Sequence, residues 1–76
     1  MAYEFESPSG LVHVHLPERF GARWAIWVRG EMLANGRVWR DYAPVWEAME
    51  EIAAKCDETP GLGEAGRELR ALAVRG

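Results

Sequence analysis

Apolar and polar residues alternate through the first half of the chain, and this period of two is typical of half-buried β-strands. The alternation separates Ile26 and Val28 from Trp27, so Trp27 lies on the face opposite the apolar one. Loops that contain Pro and Gly interrupt the pattern twice. The predicted strands cover residues 2–6, 11–16 and 23–29.

Two dipeptides after the third strand, Arg29-Gly30 and Asn35-Gly36, suit two-residue hairpin loops, because glycine adopts the positive φ that these turns need. If both dipeptides turn, the chain forms a meander in which Trp27, Met32 and Trp39 make one row across three strands. We favour this meander because the polarity of both its faces is consistent. Its facing pairs are Val28–Glu31, Ile26–Leu33 and Leu33–Val38.

The alternative is one long strand over 31–40 with a β-bulge at Asn35-Gly36. Trp27 and Met32 still meet in this arrangement, but the position of Trp39 depends on the bulge. The sequence leaves both arrangements open.

After Asp41 the apolar residues change to a helical period. Asp41 can cap the first helix, and Pro44 suits its first turn because the missing N–H costs nothing there. The segment 59–63 ends this helix and begins a second one. The stripes are Val45, Met49, Ile52 and Cys56 in the first helix, and Leu62, Ala65, Leu69 and Leu72 in the second.

Strands followed by helices predict an α+β fold: an antiparallel sheet of three to four strands, with two helices packed on one of its faces. We expect one domain over 1–76, with strands in 1–42 and helices in 43–76. A chain of 76 residues is too short for a second domain. The second face of the sheet, which we call the outer face, is left without helices.

The chain carries nine basic and twelve acidic residues, a net charge of −3, which argues against duplex DNA as a partner. Its single cysteine cannot form an internal disulfide, so we expect a cytoplasmic protein. No apolar run approaches the roughly 18 residues of a membrane span, so we expect no membrane association.

We find no catalytic or metal signature. His13 and His15 share a strand face but lack the third and fourth ligands that a metal site needs. Cys56 follows a buried stripe, whereas a reactive thiol needs a cationic, partly exposed setting. The glycines of 61–66 lack the Lys-Ser/Thr of a phosphate loop. We therefore expect no enzyme activity and no cofactor.

The outer face is the candidate binding site. Trp27, Met32 and Trp39 form its apolar row, and tryptophan and arginine are the residues most enriched at binding hot spots. The same residues could stack single-stranded nucleic acid. A homodimer or the N-terminal strand could instead cover the row, and the acidic face of the first helix could instead mimic nucleic acid. The arginines that flank the row are Arg23, Arg29 and Arg37.

Several short motifs follow a common layout: an aromatic residue before a turn, an acid leading into Asn-Gly-basic, and Arg-Asp-aromatic before the first helix. They lie in 25–30, 31–37 and 40–42, with a Pro/Gly turn in 60–63. This layout resembles one family of small phage-encoded type I anti-CRISPR proteins, which have an antiparallel sheet followed by two helices. The resemblance implies that Trp27 and Glu31, and Tyr3 as a weaker candidate, contact a CRISPR surveillance complex.

We therefore predict a non-enzymatic binding protein of phage or mobile-element type that blocks a bacterial protein or ribonucleoprotein complex by steric docking. The segment 41–53 also resembles the helix of HicB-type antitoxins, which gives a dimeric accessory protein as an alternative. The predicted binding residues are Arg23, Trp27, Arg29, Glu31, Met32, Arg37 and Trp39.

Overall fold

Four antiparallel strands in the order β1-β2-β3-β4 precede two helices, which confirms the predicted α+β fold. The computed structural model describes residues 3–75, with side chains as far as Ala73; the first residue of the predicted strand 2–6 lies outside the described residues. The elements are β1 (Tyr3–Glu6), β2 (Val12–Leu16), β3 (Arg23–Val28), β4 (Glu31–Arg37), α1 (Ala43–Glu58) and α2 (Gly63–Arg75).

The core lies between one face of the sheet and both helices. Alternate residues of β2 and β3 face it, as do Val45 and Met49 of α1 and Leu69 of α2. The stripe predicted for α1 is buried along its whole length. Removing these apolar side chains from water stabilises the fold by about 25 cal/mol per Å². The helices therefore pack on one face, as expected, and the outer face stays uncovered by them.

The turn between β3 and β4 sets the register of this hairpin. Arg29 and Gly30 both have positive φ angles, 56° and 79°, which is the type I′ geometry that matches the twist of antiparallel strands. The prediction of a turn at Arg29-Gly30 is confirmed, and Val28 faces Glu31 as expected.

A β-bulge then shifts the register by one residue. Trp27 faces Met32, whereas Ile26 faces Ala34, so Leu33 is the extra residue. Without it, the polar residues that follow would point toward the core, because a shift of one residue exchanges the two faces of a strand. The single long strand is thus the correct alternative, with its bulge two residues earlier and its end three residues earlier than expected.

The predicted hairpin at Asn35-Gly36 is wrong, because both residues lie inside β4. Gly36 faces Trp24, and a Cβ on Gly36 would stand 3.0 Å from the indole Nε1 of Trp24. The glycine therefore makes room for a buried tryptophan and does not form a turn. The facing pairs Ile26–Leu33 and Leu33–Val38, which the hairpin required, are wrong as well.

Helix α1 does not have Asp41 as its N-cap residue, contrary to the prediction. Its N-cap residue is Tyr42, and the Asp41 carboxylate accepts a hydrogen bond from the Ala43 N–H at 2.9 Å. Pro44 lies in the first turn, as predicted. Neither helix within 3–75 has the length and apolar character needed to cross a membrane.

Candidate functional site: the outer face of the sheet

The outer face carries an ordered sequence of side chains from one edge strand to the other. The register places Glu4 of β1 beside His15 of β2, His15 beside Ala25 of β3, and Ala25 beside Asn35 of β4. A second row joins His13, Trp27 and Met32. Acidic, imidazole, apolar and polar side chains therefore follow one another across the four strands.

A shallow socket lies at the centre of this face. Its floor is Ala25, which is buried although it points away from the helices, because larger side chains surround it on β2, β3 and β4. Trp27 is half-buried and Met32 is 49% exposed, so the socket has apolar walls that solvent can reach. We call this the Ala25 socket; it is lined by His15, Arg23, Trp24, Ala25, Trp27, Met32 and Asn35.

Hydrogen bonds fix one wall of the Ala25 socket. The Arg23 Nη1 donates to the Asn35 Oδ1 at 3.2 Å, and the Asn35 Nδ2 donates to the Met32 Sδ at 3.5 Å. On the other side, the His13 ring meets Trp27 edge-on, with ring centroids 5.3 Å apart. Both walls are thus supported before any partner binds, which reduces the conformational entropy that binding would cost.

A carboxylate and two imidazoles border the socket. The Glu4 Oε2 lies 2.6 Å from the His13 Nε2, and the Glu4 Oε1 bonds to the His15 Nδ1. The hydrogen bond with His15 and then that with His13 hold the pKa of Glu4 below its ordinary value, and partial desolvation opposes them. The strand spacing that places both imidazoles on one face thus gives them a shared carboxylate.

The candidates for chemistry among the described residues are a metal site and the Cys56 thiol. Among the described residues, no group of three or more His, Cys, Asp or Glu side chains is placed to hold a metal ion. Cys56 is buried in the core, where desolvation and then the neighbouring Asp57 raise the pKa of its thiol. A thiol with a raised pKa holds little thiolate, so it is a poor nucleophile.

The structure separates the residues predicted to form one row. Trp27 and Met32 do face each other across β3 and β4. Trp39 lies past the end of β4, and its ring edge meets Gly21, six residues before Trp27. At about 3.3 Å per residue this is roughly 20 Å from Trp27. The predicted row of Trp27, Met32 and Trp39 is therefore wrong, because the chain between Met32 and Trp39 continues as one strand and does not turn back.

Two other predicted residues lie away from the socket. Glu31 faces Val28, whose side chain belongs to the core, so Glu31 lies on the helix side of the sheet, in a recess with Leu33 and Leu62. Arg29 occupies the turn between β3 and β4. Arg23 and Arg37, by contrast, face each other on the outer face.

Sequence reasoning missed Ala25 and Asn35 as socket residues, and it placed His15 beside the apolar row only as one possibility. Ala25 carries no distinctive chemistry. A small residue between Arg23 and Trp27 on the same strand face does, however, indicate a depression in that face. Asn35 was assigned to a turn, and only the bulge brings it to the outer face. His15 was identified as a strand histidine, but its position beside Ala25 depends on the register.

The search for related proteins adds no assignment: the chain matches no protein-family model, and no curated protein or solved structure shows significant similarity to it.

Proposed function

We propose that this chain is a non-enzymatic binding protein that docks a partner protein through the Ala25 socket. The observation that carries the proposal is the socket itself: an apolar floor and walls on a sheet face that the helices leave uncovered. Contiguous apolar surface that stays accessible in a small folded protein is typical of an interface. The alternative of an enzyme has no comparable support.

The socket suggests the chemistry of its partner. A projecting apolar or aromatic side chain would fill the space between Trp27 and Met32. Arg23 and Arg37 lie directly opposite each other in the register beside the socket, and like charges in opposed positions of a strand pair are destabilising. We therefore expect acidic groups next to the inserted side chain of the partner.

Trp27 does not project from the outer face into the partner as an anchor residue. Because the ring packs against His13 and is half-buried, Trp27 forms a wall that receives a side chain of the partner. Docking of this kind blocks the partner sterically, by covering the surface that its own ligand needs.

The anti-CRISPR resemblance supplies the first partner to test, a type I CRISPR surveillance complex in the bacterial cytoplasm. Binding of target DNA by the purified complex is measured with and without the protein. We expect the protein to block DNA binding, and Ala25→Phe to abolish the block because the new ring occupies the socket. Ala54→Phe, the same change at an exposed position of α1, is the matched control.

Both variants must retain the thermal midpoint of the wild type for this comparison to count. Full inhibition by Ala25→Phe would show that the socket is not the docking site. Failure of the wild type to inhibit any type I complex would remove the anti-CRISPR assignment. Sedimentation equilibrium would expose the dimer alternative, since a homodimer sealed through the socket becomes a monomer in Ala25→Phe.

A further inference from the structure

A second exposed surface lies at the end of the sheet where β3 begins and β4 ends. It holds the two most exposed large apolar side chains of the described residues, Phe20 (60%) and Trp39 (67%). The exposed arginines Arg19, Arg37 and Arg40 lie within two residues of them in the sequence. We call this surface the Trp39 patch; it consists of Arg19, Phe20, Arg37, Trp39 and Arg40.

Backbone contacts join the two chain segments of the Trp39 patch. The Gly21 N–H donates to the Val38 carbonyl, and the Val38 N–H donates to the Ala22 carbonyl at 3.1 Å. The Arg37 guanidinium donates to the Gly21 carbonyl at 2.7 Å. A Cβ on Gly21 would stand 3.7 Å from the Trp39 ring, so one edge of the ring is supported while most of it remains in solvent.

The patch is locally positive although the chain has a net charge of −3. Arg23 lies opposite Arg37 in the register and is a fourth arginine next to the patch. The acids that flank the patch in sequence are Glu18 and Asp41, and the Asp41 carboxylate accepts a hydrogen bond at the start of α1. Positive charge is therefore in excess here.

We infer that the Trp39 patch binds a single strand of nucleic acid. Aromatic rings on neighbouring segments give stacking surfaces for unpaired bases, and the guanidinium groups pair with the phosphates between them. Arginine suits this task because its planar fork meets two phosphate oxygens at once. Docking of a partner protein uses the Ala25 socket, so this inference goes beyond the proposed function.

Two features of the patch favour a single strand over other anionic partners. A duplex keeps its bases stacked on each other and offers none to Trp39 or Phe20. A run of acidic side chains pairs with the arginines but has no aromatic ring to stack on the two largely exposed rings. A single strand engages both kinds of side chain.

The experiment is fluorescence anisotropy of a labelled oligo(dT) of roughly 12 nucleotides, a length within the usual site sizes of small single-strand binders. We expect binding at low salt and weaker binding as salt is added, because phosphate pairing releases counterions. Trp39→Ala should weaken binding by about 5- to 150-fold, the loss of one base–aromatic stack. Arg37→Gln should reduce the slope of log K against log salt by about 0.7.

Matched controls separate this site from other surfaces. Tyr3→Ala removes an exposed aromatic ring and Arg67→Gln an exposed arginine, both outside the patch, and both should bind like the wild type. Ala25→Phe should also retain binding, so a failure of the docking proposal leaves this one intact. Phe20→Ala provides a second stacking variant if Trp39→Ala does not fold, as judged by circular dichroism.

Three outcomes would overturn the inference. The first is no binding of oligo(dT) at low salt. The second is binding that Trp39→Ala and Phe20→Ala leave unchanged, which would indicate charge attraction without stacking. The third is equal binding of a polyglutamate peptide with the same dependence on Trp39, which would identify an acidic protein as the ligand of the patch.

Discussion

Helix α2 packs so closely against α1 that Gly66 leaves no room for a larger side chain. A Cβ on Gly66 would stand 2.6 Å from the Asp57 Oδ1, 3.1 Å from the Ala53 carbonyl oxygen and 3.4 Å from the Cys56 Cβ. The first contact can relax by rotation of the aspartate, but the second is with backbone. We therefore expect Gly66→Ala to destabilise the protein, although alanine is the better helix former.

Two opposing contributions set the size of this effect. Replacing glycine by alanine inside a helix stabilises it by about 1 kcal/mol. Overpacking in a close contact costs about 1–3 kcal/mol, and movement of Asp57 also disturbs its ion pair with Arg70, which joins the two helices. The net loss is about 1 kcal/mol, which lowers the thermal midpoint of a domain of this size by about 4–8 °C.

Gly63→Ala is the matched control because it lies on the same helix. A Cβ there meets only the Arg67 guanidinium, at 3.8 Å, an ordinary contact. We expect this variant to be unchanged or up to about 1 kcal/mol more stable. Urea unfolding followed by circular dichroism at 222 nm measures both variants. A Gly66→Ala protein as stable as Gly63→Ala would refute the close-approach argument.

Three further changes test the sheet. Gly36→Ala should lower the free energy of unfolding, measured in urea, by about 1 kcal/mol. The overpacking cost against the Trp24 indole exceeds the gain of about 0.5–1 kcal/mol from replacing a strand glycine. An unchanged urea midpoint would contradict this expectation. Arg29→Gly should stabilise the protein by up to about 1 kcal/mol, because Arg29 has a φ of 56° that favours glycine. A lower thermal midpoint in this variant would show that the turn needs the arginine side chain. The hydrogen bonds to His15 and His13 lower the pKa of Glu4. Its carboxylate therefore stabilises the fold at pH values above the ordinary pKa of about 4.3. This contribution is lost as the pH falls through the lowered pKa. The difference in thermal midpoint between the wild type and Glu4→Gln should therefore decrease on acidification. A difference that increases would mean that the pKa of Glu4 is raised in the folded protein.

The alternation and the helical stripes were sufficient to predict the fold class. Period-two segments became β2 and β3 nearly at their predicted bounds, and the stripe through Met49 and Ile52 is buried as expected. These signals are local, since each depends only on which residues share a face. The type I′ turn at Arg29-Gly30 could be predicted for the same reason, because its geometry is set within two residues.

The same local signals left the bulge as one of two alternatives and did not predict its position at Leu33. Asn35-Gly36 is a strong turn dipeptide, yet the packing of Trp24 on Gly36 favours a continuous strand. That packing joins residues from two strands, and a single sequence does not show it. The error moved Trp39 to the wrong end of the sheet, so the predicted binding site combined two separate surfaces.

The bulge at Leu33 connects stability with recognition. By adding one residue to β4, it points Ala34 and Gly36 toward the core and Asn35 and Arg37 toward the outer face. The core thus keeps its apolar surface, and the Ala25 socket and the Trp39 patch receive their polar residues from the same strand. Because the socket and patch side chains lie on the sheet face away from the helices or past the ends of β3 and β4, they contribute little to the core. Binding and folding should therefore be separable by substitution: changes at exposed positions of the outer face alter contacts with a partner, and changes at the helix interface alter the free energy of unfolding.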